Sequence, residues 1–552
     1  MKDYIYPIVL TLGILLFLFL VNYTRNRKYL KALRAKIEED FGKNPSDDKK
    51  DIKIVSSLYE NTKMGEAYID DITFNDLNLN AVFKLFDHNS SIIGTQYFYK
   101  MLRTPIFEHS YHKRQREIRE YLIKNIDNTK NMKFEFAKFG NLKRDVLDII
   151  INGIEYERYK DLKYPVYIFA FTIPIAIIAA IFLKKNSFFL IIIIVILAGV
   201  VSAKMKKATE GKIIDVGNLS SILNLSKNIE KYNCSVLEDE MKEIVKLNIE
   251  LSPIRRVSGT FGEKGANVEM EMAYEMQELL TMRRGRKFFK IVQLVNEKKE
   301  EILKLYELLG YIEANISIAS LYLSVNGCDV EFSEDKFDLE AENLYHPLLN
   351  IDTQVPVSFN FDSESVLVTG SNASGKSTFL RNVGISNVMA MTMGFVLADS
   401  YKSSMLYLQS AINLEDSIEK GVSYFLSETL AIKRMIEPFS VPKLLILDEI
   451  FKGTNTIDRI AAAYSTLKYI SRDNKVFAAT HDIELTKLLE DYFSNYHFEE
   501  EILENDIKFD YKLKKGPAIS RNAIEILKIK GYPEEIIENS YSLSRKLEEE
   551  KK

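Results

Sequence analysis

The sequence predicts an α/β domain with a mostly parallel sheet, preceded by an all-α region, and three transmembrane helices placed before and within that region. Three observations predict this. After about residue 340 the chain becomes a series of short β-branched runs, Ser365 to Thr369, Lys443 to Leu447 and Lys475 to Thr480, separated by turns and helical stretches, the pattern of βαβ units. Residues 70–163 and 212–325 instead carry apolar residues at helical spacing among alternating charges. Finally, Tyr6 to Val21, Pro165 to Leu183 and Phe188 to Ala203 contain no Asp, Glu, Lys or Arg.

The length of 552 residues suits about three folded units at roughly 100 to 200 residues each. Mean hydropathy is -0.11, an ordinary average that hides the three apolar runs. The first run makes residues 1–24 an N-terminal anchor, since it approaches the ~20 residues that cross a bilayer. A cleaved signal peptide fits less well: its apolar part is usually ~7 to 15 residues long, and this run ends in Asn22-Tyr23-Thr24-Arg25 rather than at small residues. Residues 25–69 read as a linker and 70–163 as helices, with Leu77, Leu79, Val82, Phe83, Leu85 and Phe86 on an apolar face. Residues 164–204 read as a transmembrane hairpin. Buried core helices are the alternative, but Ile191 to Leu197 leaves no polar face. Basic residues after the first and third runs place the remainder inside, against Lys184 and Lys185 at the hairpin tip. The expected localisation is therefore the cell membrane, multi-pass, with lipid as a partner and residues after 204 in the cytoplasm.

Residues 205–335 read as further helices, clearest from Glu297 to Gly310. The run Arg283-Arg284-Gly285-Arg286-Lys287 is either a solvated helix face or a phosphate contact. Net charge is -4, so no global basic field marks a dedicated nucleic-acid binder. The two cysteines, Cys234 and Cys328, imply neither a disulfide framework nor a CxxC metal site.

Chemistry concentrates in residues 336–510. Gly370-Ser371-Asn372-Ala373-Ser374-Gly375-Lys376-Ser377 fits G-x-x-x-x-G-K-[ST] between a predicted strand and a helix that continues through Thr378. Glycines in such a loop turn backbone N–H groups toward phosphate, and the helix N-terminus adds partial positive charge. Lys376 is expected to reach the β and γ phosphates of ATP and Ser377 to ligate Mg²⁺. The apolar strand Leu444 to Leu447 delivers Asp448, a carboxylate that serves Mg²⁺ directly or through a bound water, and Glu449, which can polarise the attacking water. A third strand ends in His481, placed to sense the γ-phosphate or, alternatively, an ordinary surface histidine. A P-loop NTPase domain is the resulting expectation.

Thr369 to Arg381, Leu447 to Thr456 with Asp458, and Ala479 to Leu485 resemble the ATPase domain of MutS-type mismatch-repair proteins, including Asn372 within the loop. His346-Pro347, Phe509 to Gly516 and Gly531 to Ile536 resemble further elements of that family. The resemblance implies that Tyr511 stacks on adenine and that residues 511–552 form a C-terminal helical dimerisation segment. Glu415 to Glu428 is similar to the family's signature segment, which implies that Ser423 contacts the γ-phosphate of a partner subunit in a homodimer. Asn78 to Pro105 and Glu300 to Ala319 resemble the family's helical core and returning lever.

Departures from the pattern are equally informative. No N-terminal mismatch-reading domain fits before residue 70, and Phe261-Gly-Glu263 and Phe332-Ser-Glu334 are chance matches to its Phe-x-Glu wedge. The DNA-enclosing clamp also has no room. The expectation is a membrane-anchored, MutS-like, dimeric ATPase using ATP and Mg²⁺, with DNA, mismatched or structured, as the partner the resemblance implies. The alternatives are a nucleotide-switched membrane scaffold without DNA, and an ABC-type transporter.

Overall fold

The computed structural model describes residues 2–45, 51–63, 65, 67–141, 145–183, 188–259, 261, 278–362, 364–371, 374–412, 424–502, 507–518 and 523–550. Of the expected site residues, Asn372, Ala373 and Ser423 lie outside these, as do Lys184 and Lys185. The chain forms two compact units. Unit 1 comprises residues 1–63, 87–100 and 117–321; unit 2 comprises 64–86, 101–116 and 322–552.

Unit 1 is helical. Its long helices are Lys2–Asp40, Lys160–Leu183, Phe188–Ile229 and, ending in unit 2, Lys299–Ser324. Helix Lys299–Ser324 buries Leu305, Tyr306, Leu309, Ile312 and Ile316 along one side. Its Glu313 reaches helix Ile92–Arg103, where its carboxylate accepts the amides of Ser90 at 2.7 Å, Ser91 at 2.8 Å and Gly94 at 3.1 Å. Those amides belong to the first turn and its approach, the donors that a helix cannot satisfy internally. Gly94 is required there, because an added Cβ would run into Asn89 Oδ1 and the Glu313 carboxylate. His88 sits in the same knot, with Nδ1 2.9 Å from Ser320 Oγ.

The expectation of three transmembrane helices does not hold: among the described residues no helix is long and apolar enough to cross a membrane. With it goes the multi-pass cell-membrane localisation, and the lipid partner is left without support. Absence of charge, the basis of that expectation, does not by itself fix what an apolar helix face meets: Ile168, Phe171, Ile175, Ile193 and Ile196 are exposed, and only part of each run is packed within the chain. Helices Lys160–Leu183 and Phe188–Ile229 pack on each other and on helix Arg283–Glu297, burying Val166, Ala170, Ile173 and Ala198. Gly285 lies so close to this layer that an added Cβ would meet Val166 Cγ1 at 2.9 Å.

Unit 2 contains the strands β1 (Cys328–Phe332), β2 (Leu339–Leu344), β3 (Val357–Phe361), β4 (Ser365–Thr369), β5 (Phe395–Val396), β6 (Ser400–Ser403), β7 (Tyr407–Ala411), β8 (Lys443–Asp448), β9 (Lys475–Ala479), β10 (Phe493–His497), β11 (Glu500–Ile502), β12 (Ile507–Phe509) and β13 (Lys514–Lys515). The main sheet has the order β13-β10-β4-β9-β8-β7, parallel except for β13. Strands β4 and β9 are buried along their whole length and β8 through Leu447, which explains why their sequences read as continuous β-branched or aliphatic runs without alternation. The helix Thr456–Ile470 starts at Asn455, whose side chain accepts from Asp458 N. Leu445, Leu447, Val476, Ala463 and Leu467 share the core between sheet and helices.

A second, mixed sheet, β3-β2-β6-β1-β5, adds to the single mostly parallel sheet that the sequence predicts. Its β1 lies inside the segment 205–335 that reads as helical. In Cys-Asp-Val-Glu-Phe the acids interrupt the apolar residues at every second place, a period too short in five residues to stand against the helix before it. Residues 64–86 and 101–116 also fold into unit 2. The Asp76 carboxylate accepts Ser410 Oγ at 2.7 Å and Ile412 N at 2.9 Å, and Arg381 Nε donates to Asp76 O at 2.9 Å.

Candidate functional site

Strand β4 ends at Thr369, and the chain turns at once through Gly370, whose φ of 138° lies where a side chain is strained. A Cβ there would stand 2.5 Å from Phe498 O and 2.9 Å from Ser374 Oγ, so the loop closes only around glycine. Gly375, with φ of 106°, opens the helix Lys376–Met393, which ends at Gly394 with φ of 71° and its N–H on Ala390 O and Met389 O.

Lys376 is buried, and its Nζ donates to Gly370 O at 2.6 Å and Ser371 O at 2.8 Å. Burial lowers its pKa from the ordinary lysine value, while the charges of Asp448, Glu449 and Glu500 work to raise it. Ser377 Oγ donates to Asp448 Oδ2 at 2.5 Å. The other oxygen, Asp448 Oδ1, is buried with no hydrogen-bond partner among the described residues. An orphaned carboxylate oxygen beside a serine hydroxyl is a hard oxygen donor set, which fits Mg²⁺ completed by phosphate and water oxygens. Among the described residues no group of three or more His, Cys, Asp or Glu could hold a metal by itself.

Beyond β8 the backbone is strained: Glu449 has φ of 52° and Phe451 of 61°. The Glu449 amide donates to Ala479 O at 2.9 Å, tying the turn to β9. Its carboxylate lies 2.8 Å from His481 Nε2 and 3.0 Å from Lys452 Nζ. Burial works to raise its pKa, but hydrogen bonds and charge from His481 and Lys452 outweigh it and lower the value to about 2. The group is therefore a carboxylate at neutral pH. His481 thus faces Glu449 in the structure. Asp482, next to it, is held by Arg459 through two bonds of 2.9 and 2.7 Å.

A cavity of about 420 Å³ opens beside the loop, lined by His346, Gln354, Thr378, Phe379, Phe498 and Tyr511 among others. Tyr511 carries φ of 51°, is 45% exposed and stacks with Phe509 at 5.9 Å. A Cβ on Gly375 would touch its ring at 3.3 Å, so the aromatic lies directly over the glycine loop. His346 is fixed by its Nδ1, which accepts Leu348 N at 3.1 Å, and burial lowers its pKa to about 4. Gln354 Oε1 accepts the His346 amide at 2.8 Å. Ser371 Oγ donates to Glu500 Oε2 at 3.0 Å.

The structure thus brings Gly370, Ser371, Ser374, Gly375, Lys376, Ser377, Thr378, Asp448, Glu449, His481 and Tyr511 to one end of the parallel sheet. Sequence reasoning passed over Gln354, Asn382 and Phe498 as pocket residues. Phe498 follows an unremarkable strand, and the buried, unpartnered Asn382 Oδ1 is visible only once the helix is packed. A parallel strand, a glycine loop and a helix begun by Lys376, beside a strand ending in two acids, define a P-loop domain.

Residues 366–548 match MutS domain V. The chain is 32% identical over 275 residues to the DNA mismatch repair protein MutS of Aquifex pyrophilus, covering 47% of this chain and 32% of that relative. It is 29% identical over 332 residues to the DNA mismatch repair protein MutS of Clostridium kluyveri, covering 56% and 38%, and 28% identical over 273 residues to that of Persephonella marina, covering 48% and 31%. The chain is thus similar to MutS proteins through this domain, and it spans about a third of the length of these curated relatives.

Proposed function

We propose that this protein is a MutS-type ATPase that binds ATP with Mg²⁺ and hydrolyses it as a homodimer, and that DNA is its partner. The observation that carries the reading is the convergence of Lys376, the Ser377–Asp448 pair and Glu449 beneath the cavity roofed by Tyr511. Bound Mg²⁺ would offset the charge of the phosphate oxygens. Ser377 and Asp448 would hold it, and the amides of the 370–376 loop would face the phosphates. Lys376 would exchange its two carbonyl partners for phosphate oxygen.

Glu449, ionised at neutral pH, accepts a hydrogen bond from the attacking water and aims it. His481 holds one Glu449 oxygen and so fixes the direction of the other. Tyr511 and Phe498 offer apolar faces to a base. Ser423 of a second subunit would complete the site, which makes turnover depend on dimer formation.

The DNA partner rests on the relatives, which are DNA mismatch repair proteins by name. The chain itself has a net charge of -4 and so no global basic field. That charge favours a second reading, in which the ATPase drives association with a protein partner. A salt titration separates the two. Duplex binding that weakens steeply between about 50 and 200 mM salt, together with ATPase stimulated by duplex, supports DNA. No binding of matched, mismatched or branched duplex at the lowest salt rejects it, and absence of ATP hydrolysis by the purified chain rejects the whole reading.

A further inference from the structure

Glu428 is buried, 2% exposed, on the first turns of the helix Tyr424–Ile436. Its two carboxylate oxygens take up backbone amides of the turn after β8. Oε1 accepts the amide of Lys452 at 3.2 Å and Oε2 the amide of Gly453 at 3.4 Å. Burial pushes the carboxyl pKa up, and these amides pull against it. The same helix presses on the loop through Phe425, whose ring lies 6.1 Å from that of Phe451 and whose Cβ leaves no room for a side chain on Gly453, where an added Cβ would come within 2.9 Å.

The loop so gripped is the strained turn after β8. Lys452, whose amide Glu428 holds, sends its Nζ to Glu449 Oε2 at 3.0 Å. A continuous path therefore runs from the Glu428 carboxylate through the Lys452 backbone and side chain to the Glu449 carboxylate. A turn with φ of 52° and 61° at two non-glycine residues does not hold itself; something outside it must supply the restraint. The helix at the other end of the path begins one residue after Ser423 in sequence.

We propose that Glu428 is a positioning residue for hydrolysis: it clamps the 449–453 turn to helix Tyr424–Ile436, so that displacement of the helix re-aims Glu449. This rests on the ATPase reading above. A buried carboxylate with two amide partners has fixed direction, and substitution changes where Glu449 points without removing any group that contacts nucleotide. In a dimer, contact at the segment ending in Ser423 would then be transmitted to the water-aiming carboxylate of the same subunit.

The experiment compares full-length wild type with Glu428→Ala and Glu428→Asp, the second keeping the charge while withdrawing it by one methylene. Hydrogen exchange over residues 449–455 reads the clamp, and steady-state ATP hydrolysis reads its consequence. Expected in Glu428→Ala are exchange at Lys452 and Gly453 about tenfold faster and kcat about tenfold lower with KM for ATP unchanged, because a charged acceptor is lost to two buried amides. Glu428→Asp should lie between, and it carries the test if the alanine variant does not fold. Unchanged exchange at these amides overturns the proposal, as does faster exchange with wild-type kcat, or loss of ATP affinity in parallel with kcat. A wild-type chain that hydrolyses no ATP overturns the ATPase reading and this proposal with it; normal hydrolysis in wild type and both variants overturns the proposal alone.

Discussion

Glu449 in unit 2 and Glu313 in unit 1 are carboxylates withdrawn from solvent to different depths, each tied to neighbouring groups through both oxygens, and their acidities move in opposite directions. Glu449 is lowered to about 2 and Glu313 is raised to about 7. Burial pushes both upward. The difference lies in the partners: Glu449 meets the side chains of His481 and Lys452, whereas Glu313 meets the Ser90, Ser91 and Gly94 amides and the Ser91 hydroxyl, and these with the charge of Lys133 do not offset its deeper burial. Neutral donors hold a carboxylate in place without fully compensating the loss of water. One arrangement keeps a charge available for chemistry, and the other spends the group on closing a helix end.

If that distinction is right, substitutions at the two sites should separate rate from stability. The largest effect belongs to Glu449→Gln: kcat for ATP should fall on the order of 10² to 10⁴-fold while ATP binding persists, because only the water-aiming carboxylate is lost. Rapid-quench turnover measures it, and a variant turning over within a few-fold of wild type would break the comparison at its catalytic end. Gly94→Ala should do the converse. A methyl driven into Asn89 Oδ1 and the Glu313 carboxylate has no free space, so unit 1 should lose about 3 kcal/mol or more in urea unfolding, with Phe and Tyr signals reporting the transition. Unchanged unfolding of that variant would mean that the knot is not closed as described.

The two carboxylates also differ in how far they can be read from sequence. Glu449, Asp448, Lys376 and Ser377 stand out because phosphate chemistry needs them on contiguous strand–loop–helix segments, and the structure sets them within hydrogen-bonding reach of their neighbours at one sheet end. Glu313 gives no such signal: its partners lie over two hundred residues earlier, and an acid in a charge-laced helix looks like surface. Glu428 is hidden for the same reason, since its function depends on amides of Lys452 and Gly453 that no motif marks. The apolar runs mislead in the opposite way. Ile191 to Leu197 is readable as apolar, but its residues stay exposed or half-buried in the fold, and the contacts that are made, Val166 against Gly285 and buried Ala198, lie outside that run and appear only in the fold. Strand β1 shows the remaining limit, five residues of period two beside a long helical signal.

The smallest and most diagnostic effect is in the dependence of stability on pH, where the two sites should have mirror-image windows. Glu313 titrates near 7 when folded against an ordinary 4.5, so between these values the folded state holds a proton that the unfolded chain has released. Its stabilisation is complete below about 4.5 and is lost as pH rises toward 7. Glu449, at about 2 against 4.5, contributes stability that is present above 4.5 and lost as pH falls toward 2. Difference curves of urea stability, wild type minus Glu313→Gln and wild type minus Glu449→Gln, should therefore slope downward from pH 4.5 to 7 for the first and upward from 2 to 4.5 for the second. The Glu449 slope should be the shallower, because its side chain is 19% exposed and solvent screens its ion pairs. Slopes of the same sign would mean that the Lys452 and His481 contacts do not outweigh burial, and Glu449 would then share the chemistry of Glu313 rather than oppose it.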